Sequence, residues 1–60
     1  MLKHGEDKAI VLLNIALTYE EERNFAKAKK YYNEIIELYP ETPEANEARL
    51  KLEIIKSLRY

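Results

Sequence analysis

The apolar residues of this chain recur at helical spacing, and no segment alternates polar and apolar positions with the period of a strand. One face collects Leu12, Ile15, Ala16 and Tyr19. A second collects Phe25, Ala28, Tyr32, Ile35, Ile36 and Tyr39, and a third Ala45, Ala48, Leu52 and Ile55. The pattern predicts three amphipathic helices. Asp7 is placed to cap the first, which runs from about Lys8 to Glu22, and Asn24 to cap the second, from about Phe25 to Leu38. Pro40 stops the second helix, because the residue before a proline is pushed out of the α region. Thr42 and Pro43 supply an N-cap and first residue for the third helix, which runs to about Leu58. Glu44 lies near its positive end. Connections of a few residues make consecutive helices antiparallel. The expectation is an all-α fold, three antiparallel helices forming one domain over residues 1–60. Alanines at 16, 28, 45 and 48 let the helix axes approach closely.

Helix 1 carries more apolar surface than one core stripe needs. At about 100° per residue, Ile10, Leu13 and Leu17 form a second stripe beside the first. Only Asn14 and Thr18 interrupt the circumference between Ala9 and Tyr19, and a helix apolar nearly all round expects burial nearly all round. Either helix 3 folds over this stripe as ordinary core, or the stripe is a binding or self-association surface. Helix 3 shows a similar excess: Leu50, Ile54 and Leu58 recur every four residues, away from Ala48, Leu52 and Ile55. An aligned row of three is a patch, where scattered surface leucines are not.

Composition narrows the function. A domain of 60 residues buries only about 60% of its unfolded surface, so its core is marginal. With no cysteine for a disulfide and one histidine, association is the remaining common remedy. Charged residues make up 35% of the chain but the net charge is −1, which argues against a nucleic-acid binder or a polybasic membrane anchor. The apolar run from Ala9 to Leu17 falls far short of the roughly 20 residues that span a bilayer. Met1 to Asp7 does not read as a signal peptide. A complete chain of this kind is expected in the cytoplasm, whereas a fragment of a longer protein carries no such expectation.

Catalytic chemistry finds no foothold. His4 lies in the leader without a paired nucleophile, and Glu20, Glu21 and Glu22 are adjacent, so they splay around the helix instead of converging on a metal. There is no glycine-rich phosphate loop, and neither enzymatic activity nor a cofactor is expected. Lys27, Lys29 and Lys30 beside Tyr31 resemble a basic-aromatic patch for nucleic acid. They read better as the solvated face of helix 2, with Lys30 one turn from Glu34 and the group across the turn from Glu20 to Glu22.

Taken together, residues 9–42 resemble one tetratricopeptide repeat, a 34-residue helix-turn-helix unit. Pro40 occupies the family's late proline position, and Leu12, Ile15, Ala16, Tyr19, Phe25, Ala28, Tyr32 and Ile35 fall on its other signature places. Leu12 stands where Trp is frequent and Ile35 where Ala is commoner. Arg23 stands where a turn glycine is frequent, and neighbouring Asn24 is expected to take the left-handed conformation. Residues 38–55 look like the junction in bacterial envelope-type members, where Tyr-Pro precedes a helix opening Ala-x-x-Ala. Helix 3 would then begin a second repeat or close the array.

The resemblance implies a protein-interaction or scaffold module. It places Ile10, Leu13 and Leu17 on the concave groove that holds peptides, with Asn14 and Glu21 as polar neighbours. Asn14 alone makes no carboxylate clamp, so the partner implied is an apolar or amphipathic helix. Leu50, Ile54 and Leu58 are the expected self-association surface, with a dimer about a twofold axis favoured. The alternative is a purely structural oligomerisation element with no separate ligand.

Overall fold

The computed structural model describes residues 4–59, with side chains described from residue 7 onward. The fold is all-α: α1 spans His4–Glu21, α2 Phe25–Leu38 and α3 Pro43–Ser57. The helices are antiparallel in sequence order. Helix α2 is central; α1 packs on it most extensively, α3 next, and α1 and α3 touch each other least.

The first helix corrects the expected start. It begins at His4, one turn before Lys8, so Asp7 lies inside the helix and does not cap it. No proline interrupts the leader, and Gly5 costs a helix interior only about 1 kcal/mol, too little to stop propagation from the turns that follow. The other two starts follow the chain's chemistry. The Asn24 side chain accepts from the Lys27 backbone N–H at 3.4 Å. Thr42 Oγ1 accepts from the Ala45 N–H at 3.1 Å and donates to the Tyr39 carbonyl at 2.8 Å, with Pro43 as the first helical residue. One side chain thereby closes the second helix and opens the third.

The turn between α1 and α2 corrects a second expectation. Arg23 itself, not Asn24, adopts the left-handed conformation, with φ 64°, while Asn24 has φ −89°. Two backbone bonds explain this choice. The Arg23 N–H donates to the Glu20 carbonyl at 3.0 Å and the Asn24 N–H to the Tyr19 carbonyl at 2.8 Å. That pair is the Schellman closure, and its geometry needs positive φ at the residue before the next cap, whatever side chain stands there.

The core is built from small residues around a few large ones. Ala9, Ala16, Ala28, Ala45 and Ala48 are fully buried, with Tyr32, Ile35 and Ile55, and Phe25 nearly so. The short alanine side chains set the helices close together. Leu12, Tyr19, Ile36, Tyr39 and Leu52, expected in the core stripes, are only half-buried against this cluster, and Ile15, expected beside Leu12, is half-buried too.

Candidate protein-interaction surface

With α2 and α3 in place, α1 still presents apolar surface to solvent. Ile10 is 44% exposed, and Leu13 and Leu17 are half-buried, their inner sides against the core cluster. Asn14 and Glu21 are exposed on the same side of the helix. The Thr18 hydroxyl donates back to the Asn14 carbonyl at 2.9 Å, so it covers part of the helix backbone instead of reaching outward. Val11 is also exposed, but it lies about 100° round the helix from Ile10, beyond Asn14 and Thr18, and so stands apart from the stripe.

On α3, Leu50, Ile54 and Leu58 are 62%, 51% and 52% exposed. The turn-by-turn spacing makes them one row along the helix. Leu38, at the end of α2, is a further exposed apolar residue that no periodic stripe pointed to. An open groove lies elsewhere, between α2 and α3; of these residues only Leu50 borders it.

Polar contacts hold the hairpin that carries the α1 face. Tyr32, fully buried on α2, donates its hydroxyl to Glu20 Oε1 on α1 at 2.6 Å. Burial pushes the Tyr32 hydroxyl well above the usual tyrosine range, and the hydrogen bond to Glu20 and the negative charges of Glu20 and Glu47 push it the same way. Glu20 belongs to α1, Tyr32 to α2 and Glu47 to α3, so this hydroxyl bonds across the α1–α2 hairpin and also feels a negative charge carried by α3. The short bond to a carboxylate orients α1 on α2, and with it the exposed stripe.

The lysines flanking Tyr31 serve the same hairpin. Tyr19 and Tyr31 stack with ring centroids 5.7 Å apart and planes 9° from parallel. Lys27 sets its ammonium 5.5 Å from the Tyr19 ring centroid, and Lys30 sits 5.6 Å from that of Tyr31. Both distances fall in the cation–π range. These aromatic faces, on which a nucleic-acid base would stack, are engaged by the protein's own side chains.

Among the described residues no group of three or more His, Cys, Asp or Glu side chains could hold a metal ion, and no helix is long and apolar enough to cross a membrane. The side chain of His4 lies outside the described residues.

A close antiparallel helix pair with a Schellman turn, followed after a Tyr-Pro break by a helix on the same core, defines the class of stacking helical repeats. The chain belongs to the tetratricopeptide repeat family, whose model matches residues 11–42, more than half of its length. Members of this family are generally protein–protein interaction modules. No curated protein and no solved structure matches the chain.

Proposed function

We propose that this chain is a docking module whose α1 face seats an apolar or amphipathic helix of a protein partner. One observation carries the reading: once the fold is complete, Ile10 remains exposed and Leu13 and Leu17 remain half-covered. Covering an apolar side chain fully contributes roughly 1.5–3 kcal/mol, and the uncovered part of each of these three is available to a partner. Asn14 and Glu21, at the border of the stripe, supply polar contacts that set register. A helix with apolar residues at i, i+3 and i+7 matches the Ile10, Leu13 and Leu17 spacing.

The exposed row of Leu50, Ile54 and Leu58 supports a second reading, in which two copies pair through α3 about a twofold axis. In its limiting form the chain is an oligomerisation element with no separate ligand. Light scattering at high micromolar concentration, combined with Leu13→Glu and Ile54→Glu variants of intact helicity, separates these readings. A dimer abolished by Ile54→Glu supports self-association, and a monomer at that concentration removes it. If Leu13→Glu leaves binding of every helical partner unchanged, the docking role of α1 is wrong.

A further inference from the structure

The open groove between α2 and α3 has a chemistry different from that of the α1 stripe. Its volume is about 830 Å³, and it is shallow and open to solvent along its length. Half-buried Leu52 and exposed Leu50 give it apolar contact surface. Lys29 from α2 and Arg49 and Lys56 from α3 surround these leucines, against a single acid, Glu53. The chain as a whole carries −1, so the groove is a positively charged region on a chain whose remaining residues are net negative.

We propose that this groove seats an acidic amphipathic helix of a partner protein, on a surface separate from the α1 face. Shape is the first reason. The groove follows two antiparallel helices, and from Asn46 to Lys56 it extends about 15 Å along α3, nearly three helical turns. The spacing of the cations is the second. Arg49 and Lys56 are seven residues apart, which puts them on the same side of α3 about 10 Å from each other. They are too far apart to converge on one small anion. A partner helix with carboxylates at i and i+7 and leucines between them meets both cations and both groove leucines.

The third reason is preorganisation. Arg49 Nη1 donates to Asn46 Oδ1 at 2.8 Å, which restrains the guanidinium at the groove edge. A guanidinium carries five N–H donors, so the others are left for a carboxylate.

The test uses the isotope-labelled 60-residue chain and a synthetic 14-residue helical peptide with leucines at i and i+4 and glutamates flanking them. Titration followed by amide chemical shifts is expected to saturate and to move Lys29, Arg49, Leu50 and Lys56. A peptide of the same design with lysine in place of glutamate is expected to bind at least tenfold more weakly. The Arg49→Glu/Lys56→Glu variant should reverse that preference, and Leu13→Glu should leave it unaltered. The proposal is overturned by equal affinity for the two peptides, by shifts confined to the α1 residues around Leu13, or by no saturation at millimolar peptide. The same resonances moving with protein concentration alone would overturn it in favour of a second copy, and saturable shifts with a single-stranded RNA but not the peptide would overturn it in favour of nucleic acid. Failure of this groove leaves the α1 reading standing, since Leu13→Glu reports on that face independently.

Discussion

The two helix hairpins of this chain are closed in opposite ways. The α1–α2 hairpin is bound by directional contacts: the Tyr32–Glu20 hydrogen bond, the Tyr19–Tyr31 stack with its two lysines, and a turn whose backbone bonds force Arg23 to positive φ. The α2–α3 hairpin relies on buried Ala45, Ala48 and Ile55, a proline-bounded turn and one threonine, and it leaves a charged groove open beside it. The first hairpin is specified by pairs that fit only one register, and it is the part that matches the family. The second is held mainly by close packing of small side chains, which leaves its outer surface available for interaction.

The largest expected effect breaks the first hairpin at its centre. Tyr32→Ala removes a fully buried aromatic side chain and should cost about 3–5 kcal/mol, enough to unfold a 60-residue chain, as read by far-ultraviolet circular dichroism. A milder change addresses the second hairpin. Ala48→Leu overpacks α3 and should cost about 1–3 kcal/mol. Amide exchange should then quicken in α3 while α1 and α2 keep their protection. Equal loss in all three helices would show that the two hairpins do not differ in the way described.

Tyr32→Phe isolates the hydrogen bond and should cost about 1–2 kcal/mol in urea melts near neutral pH. It also exposes a pH dependence. Because the folded chain holds the Tyr32 proton more tightly than the unfolded chain, the unfolded form loses it first as pH rises. Stability from this group is therefore complete below about pH 10, the ordinary tyrosine value, and declines above it. The original chain should lose stability more steeply than Tyr32→Phe between pH 9 and 11; parallel profiles would contradict the assignment. The smallest effect is a gain. Arg23→Gly relieves a left-handed arginine and should add up to about 1 kcal/mol, read as a rise in urea midpoint with unchanged slope.

Much of this architecture was legible in the sequence, because it rests on local rules. Asn24, Thr42, Pro43 and Pro40 act on residues within four positions, so the second and third helices began where their caps stood. The stripes Ile10–Leu13–Leu17 and Leu50–Ile54–Leu58 follow from helical periodicity alone. The start of α1 is hidden in the sequence because Asp7 resembles a cap, and capping residues also occur inside helices when the turn before them forms. Ala9 gave no sign of complete burial, since its cover comes from the tertiary packing of the helices. The Tyr32–Glu20 bond joins residues twelve apart, and the groove brings Lys29 and Asn33 beside Asn46 and Arg49. Both depend on how far each helix is rotated about its own axis, which periodicity leaves open.

The stacked Tyr19 and Tyr31 also provide an optical signal. The chain has five tyrosines and no tryptophan, and this parallel pair spans the α1–α2 contact. Coupled phenol chromophores held at fixed orientation contribute to near-ultraviolet dichroism, a signal that vanishes when side-chain packing loosens even if helices persist. Seating of the first helix can thus be followed by light alone, without a label, while a ligand without aromatic rings is titrated onto its outer face.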